Sequence, residues 1–95
     1  MKTVRWALPA LADLDDMQDY VAERNPTAAF RLANAILDRT GHLSETPEIG
    51  RTGRILGTRE LVLPDIGYVV AYRLRDEVEI LAVMHGARDW PENFD

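Results

Sequence analysis

Apolar and polar residues alternate along this chain with two different periods, and the periods divide it into a helical first half and an extended second half. Val4 to Leu8 is a short apolar stretch stopped by Pro9, which predicts a first strand. Pro9 can open a helix, since its missing N–H costs nothing in the first turn. Leu11, Leu14, Met17, Tyr20 and Val21 then recur at helical spacing, with Asp13, Asp15, Asp16 and Asp19 between them. These acids are expected near the helix start, where the helix dipole favours negative charge. Asn25-Pro26 predicts a cap and first position for a second helix, continued by Ala29, Leu32, Ala33, Ile36, Thr40 and Leu43. The short connection makes the two helices an antiparallel hairpin, and Ala28, Ala29 and Ala33 allow close approach.

Pro47 and Gly50 end the helical part. Residues 51–57, with Gly53 and Gly57, read as a loop or an irregular strand start. Strands are predicted over 58–63, 67–74 and 78–85, joined by Pro64-Asp65 and by a tight turn at Arg75-Asp76-Glu77. Alternation places Tyr68, Val70 and Tyr72 on one face of their strand, with Arg73 opposite. The same rule places Val78, Ile80, Ala82 and Met84 together on theirs. The expected fold is therefore α+β, in the order β-α-α-β-β-β. A helical hairpin covers one face of a small, mainly antiparallel sheet.

Residues 1–95 read as a single domain, without repeats or linkers. A core this small buries only about two thirds of the unfolded surface, which makes a permanent partner valuable. There is no cysteine, so disulfide and thiolate chemistry are excluded. The N-terminus lacks an apolar signal segment, and the longest apolar run is broken by Pro64, Asp65 and Gly67. A cytoplasmic protein without membrane contact is expected. The net charge of −5 is unevenly spread. Residues 10–48 carry eight acids against three arginines, whereas residues 49–75 carry five arginines against two acids. Lys2 is the only lysine; the other basic residues are arginines, whose fork suits carboxylates and phosphates.

Candidate chemistry is sparse. His42 and His85 have no ligand partner at helical spacing, so no metal site and no cofactor is expected. Ser44 has no plausible base near it in sequence, which argues against a nucleophilic triad. Arg59, at the start of a strand, reads either as an edge arginine paired with Glu60 or a helix acid, or as a functional cation. Arg73, mid-sheet, needs solvent, an acid or a bound partner. His85 ends the last strand, where it is either a structural histidine or a general acid or base. Arg88 and Trp90 follow just past the sheet. Trp90 before Pro91 fits a packing lid or a stacking platform.

Three segments carry a family resemblance. "ALADLDDMQDYVAERNPTAAFRLANAI" resembles the helical hairpin of RelE/ParE-type toxins, and "GRTGRILGTRELVL", "YVVAYRL" and "VEILAVMHGARDWP" resemble their meander and tail. The resemblance runs from Trp6 to Pro91 and rests on the ordered set of segments. It implies the toxin of a type II toxin–antitoxin, or plasmid addiction, module, neutralised in a hetero-oligomer by a ParD- or RelB-like antitoxin. ParE-like members inhibit DNA gyrase; RelE-like members cleave mRNA on the ribosome. RelE-like nucleases place an arginine before the middle-strand tyrosine, whereas this strand reads Tyr68-Val69-Val70-Ala71-Tyr72. With a single lysine and an acidic balance, the chain looks closer to the ParE-like branch, which is not enzymatic. Target contacts are then expected at Arg54, Arg59, Arg73, His85, Arg88 and Trp90. For the nuclease alternative the catalytic candidates are Arg59, Arg73, His85 and Arg88. Antitoxin contacts are expected on the hairpin at Leu14, Met17, Tyr20, Leu32 and Ile36.

Overall fold

The structure is a computed structural model that describes residues 1–86, 90, 91 and 94. Its elements are β1 (Val4–Trp6), α1 (Leu8–Ala22), α2 (Pro26–Gly41), β2 (Arg51–Thr52), β3 (Arg59–Leu63), β4 (Tyr68–Leu74) and β5 (Val78–His85). The α+β order is the expected one, and the two-residue β2 is what becomes of the irregular start around Arg51. The five strands form one sheet in the order β1-β5-β4-β3-β2. Among the described residues, only β1 runs parallel to its neighbour, pairing Val4 with Val78 and Trp6 with Ile80; the other pairs are antiparallel. Among the described residues, no helix is long and apolar enough to cross a membrane.

Local chemistry accounts for the hairpin. Pro9 sits in the first turn of α1. Asn25 caps α2, its side-chain oxygen accepting the Ala28 amide at 3.0 Å, and Pro26 follows as the first residue. The helix ends in a 3₁₀ turn over His42–Ser44, which carries Leu43 into the core. One expectation fails here: no acid lies in the first turn of α1. Asp13 instead reaches sideways, and its carboxylate accepts the Val83 amide of β5 at 3.0 Å. That bond fastens α1 to the sheet through a backbone donor that β1, only three residues long, leaves unpaired.

The hairpin covers one face of the sheet. Leu14, Met17, Ala33, Ile36 and Leu43 meet Leu63, Val70, Tyr72, Val78, Ile80 and Val83 there. Ile36 and Ile80 are fully buried, and each contributes about 1.5–3 kcal/mol relative to an exposed side chain.

The expected single face for Val78, Ile80, Ala82 and Met84 is wrong. Tyr72 pairs with Ile80 but Ala71 pairs with Ala82, so Leu81 is an extra residue in β5. One inserted residue inverts the alternation beyond it. Val78 and Ile80 therefore face the helices, while Ala82 and Met84 join Ala71 on the other side. Among the described residues no helix covers this second apolar strip; Trp90 and Phe94 pack on it.

Candidate functional site

The face of the sheet opposite the helical hairpin carries Arg51, Glu60, Arg73 and Glu79 among the described residues. Glu60 of β3 is at its centre, with only 2% of its side chain exposed. Its Oε1 accepts Arg51 Nε at 3.0 Å and Nη2 at 2.7 Å. Oε2 accepts the Arg54 amide at 2.9 Å and lies 3.4 Å from Arg54 Nε. Burial alone would raise the Glu60 carboxyl, but the Arg54 amide, the Arg51 hydrogen bonds and the two positive charges outweigh it and leave it below the usual carboxylate range. Arg54, held from behind by Glu60, lies 3.9 Å above the Trp90 ring. Arg51, Glu60, Arg54 and Trp90 thus form one stack ending on the apolar strip of Ala71, Ala82 and Met84.

This stack brings together two of the residues expected to touch a target, Arg54 and Trp90. Sequence reasoning missed its organiser, Glu60, which read only as a partner for Arg59. The usable signal was register: an acid at Glu60 stands opposite Arg51 once β2 pairs with β3.

Arg59 is not paired with Glu60. Its Nη1 donates to the Gly50 carbonyl at 2.9 Å and the Glu48 carbonyl at 3.2 Å, fixing the loop before β2. Tyr72 holds the same loop, donating its hydroxyl to the Pro47 carbonyl at 2.7 Å and accepting the Gly50 amide at 2.9 Å. Burial pushes the Tyr72 phenol up, against the opposing pull of the Gly50 amide and Arg59.

Arg73 lies on the helix-free face and meets Glu79 at 3.4 Å across the β4–β5 pair. Glu79 also binds Arg5, which bridges to Glu77 as well. His85 is at the other end of these strands, its ring edge-on to Tyr68 with centroids 5.4 Å apart. Tyr68 and Arg73 are separated by five steps along β4, roughly 17 Å at about 3.3 Å per residue, and they face opposite sides of the sheet. The structure therefore does not bring Arg73 and His85 to one phosphate. Arg88 lies outside the described residues.

Three of the five hairpin residues expected to meet an antitoxin are core residues. Leu14 and Met17 are 7% and 8% exposed and Ile36 not at all, because they face the sheet. Tyr20 is half exposed, and Leu32 lines an outer groove with Val21, Ala28, Ala35 and Ile66. Among the described residues, no three His, Asp or Glu side chains are placed to hold a metal ion. What the surface can do is bind: it offers paired arginines, an aromatic and an apolar strip.

The model of the ParE toxin of the type II toxin–antitoxin system parDE matches residues 4–90. The chain belongs to this family. The toxin is 46% identical over 91 residues to Y4kP of Sinorhizobium fredii, a protein named as a toxin, covering 96% of this chain and 95% of that one. It is 36% identical over 89 residues to toxin RelE2 of Caulobacter vibrioides, covering 93% and 99%. Its fold matches the chromosomal ParDE toxin–antitoxin system of P. aeruginosa with a TM-score of 0.81 at 25% identity, over 90% of this chain and 96% of that one. The toxin–antitoxin complex RelBE2 of Mycobacterium tuberculosis matches with a TM-score of 0.65 at 28% identity, over 88% and 96%. It is thus a type II toxin of the RelE/ParE superfamily, and similarity runs to both named branches.

Proposed function

We propose that the toxin acts by binding a protein target, DNA gyrase, without cleaving RNA. A cognate ParD- or RelB-like antitoxin neutralises it in a hetero-oligomer, and the pair works in the cytoplasm as an addiction module. The observation that carries the first part is the separation of Arg73 from His85. Metal-free RNA cleavage needs cations on the scissile phosphate and a proton-transfer group within hydrogen-bond reach of the attacking hydroxyl. Arg59 is committed to loop carbonyls and Arg73 to Glu79. Neither stands beside His85. The Arg54–Trp90 stack beside an apolar strip has instead the composition of a protein-contact surface, with an arginine and an aromatic at its centre. For the antitoxin, support comes from the two structural neighbours, a ParDE system and a RelBE2 complex.

One observation favours the alternative of a ribosome-dependent endoribonuclease: the 36% identity to a protein named toxin RelE2. Induction of the Arg73→Ala/His85→Ala double variant separates the two. Gyrase binding through the Arg54–Trp90 surface predicts persisting growth arrest and intact translated transcripts by primer extension. Cuts within codons that the double variant abolishes would establish the nuclease.

A further inference from the structure

The connection from β2 to β3 is held more tightly than a surface loop requires. Residues 55–58 form a turn closed by the Thr58 amide, which donates to the Ile55 carbonyl at 3.1 Å. Gly57, its third residue, has a φ of 82°, the arrangement of a type II turn, which needs glycine at that place. The hydroxyl of Thr58, a buried residue, donates to the same carbonyl at 2.6 Å. Before the turn, the Gly53 amide donates to the Thr58 carbonyl at 2.8 Å and the Arg54 amide to buried Glu60 at 2.9 Å.

What this brace displays is Leu56, which is 100% exposed. The second position of such a turn favours proline and accepts polar residues, so the turn itself does not call for a leucine. On a loose loop, a lone exposed leucine would be ordinary surface. Fixed at the tip of a hydrogen-bonded turn, it loses little conformational freedom when a partner covers it, and the contact is stronger for that. Its surroundings narrow the partner. Arg54, two residues before it, lies over the Trp90 ring, so the tip continues the Arg54–Trp90 surface. Arg51 and Arg54 are half exposed, and the one carboxylate of Glu60 offsets only one of their two charges. The tip is apolar and its flank is net positive.

We propose that Leu56 is an anchoring contact for the toxin's protein target. It enters an apolar pocket edged by carboxylates on that protein, and Arg51 and Arg54 meet the rim. Leu56 then selects the target within the surface proposed above to bind gyrase, a reading on which this assignment rests.

The test compares the intact toxin with Leu56→Ser, Leu56→Met and Leu8→Ser, the last altering another exposed leucine at the start of α1. Each is assayed for inhibition of supercoiling by purified gyrase and for growth arrest on induction. Capture by the cognate antitoxin and circular dichroism are measured alongside. Leu56→Ser is expected to raise the toxin needed for half-inhibition by roughly tenfold or more, the effect of losing one buried leucine side chain. It also relieves growth arrest, whereas Leu56→Met and Leu8→Ser stay close to wild type and all three bind antitoxin. Wild-type potency in Leu56→Ser, or an equal loss in Leu8→Ser, would overturn the proposal. So would altered circular dichroism or lost antitoxin capture in Leu56→Ser, which would assign the leucine to the fold or to the antitoxin. Wild-type toxin that arrests growth without affecting supercoiling defeats the gyrase reading alone. Growth arrest then decides the role of Leu56 by the same comparison.

Discussion

The Tyr72 hydroxyl and the Gly50 backbone are in direct contact, the amide donating to the phenol at 2.9 Å, and nothing larger than glycine fits between them. A Cβ on Gly50 would meet the Tyr72 hydroxyl and two ring carbons, the ring carbons at 2.6 and 2.9 Å. Tyr72 is fully buried and cannot yield. The contact fixes where the chain leaves the helices and enters the sheet.

Gly50→Ala is therefore expected to destabilise the fold by about 1–3 kcal/mol, the usual range for overpacking. Tyr72→Phe leaves the Gly50 amide and Pro47 carbonyl without their partner, at about 1–3 kcal/mol. Removing the hydroxyl does not remove the ring carbons, so Gly50→Ala stays destabilising in the Tyr72→Phe background. Denaturant melts of the four proteins measure this; a Gly50→Ala that is neutral in that background contradicts it.

Glu60→Gln weakens the bonds to Arg51 and to the Arg54 side chain. The two arginines are half exposed and regain water, so the cost is about 2 kcal/mol, below the roughly 3–5 kcal/mol of a fully buried pair. Because the folded-state carboxyl titrates below its unfolded value of about 4.3, its contribution is fully present above that pH. It is lost as pH falls through the lower folded-state value. The wild-type melting temperature should thus fall towards that of Glu60→Gln on acidification. Parallel profiles across that range would show that Glu60 carries no such linkage.

The Arg54–Trp90 stack should appear as pairwise coupling. Arg54→Ala is expected to cost more in wild type than in Trp90→Ala, by about 0.5–1 kcal/mol for a partly exposed cation over an aromatic. Trp90→Ala also bares the strip of Ala71, Ala82 and Met84, which should raise binding of a hydrophobic dye. A purely additive cycle with unchanged dye binding would refute the stack.

Where one local rule governs an element, the sequence is sufficient to read it. Asn25-Pro26 punctuates the hairpin and caps α2, and period-two spacing locates β3, β4 and β5 to within a residue. What escapes is set by register. The extra Leu81 has no mark in the sequence, because a bulge is visible only against the strand it faces, and so Ala82 and Met84 are assigned to the wrong face. Glu60 escapes for the same reason, since its partners Arg51 and Arg54 reach it only through the β2–β3 pairing. Among the hairpin residues expected to meet an antitoxin, Leu14, Met17 and Ile36 are apolar, and on a helix facing a sheet the apolar stripe is the buried one.

The proposed target is a protein, DNA gyrase. Supercoiling of relaxed plasmid by purified gyrase, with the free toxin added from substoichiometric amounts to excess, tests it most directly. The expected result is inhibition that titrates with toxin, is relieved by the cognate antitoxin, and is weakened by Arg54→Ala and Trp90→Ala but not by Arg73→Ala/His85→Ala. Unaltered supercoiling at stoichiometric excess of a toxin that still arrests growth would contradict it.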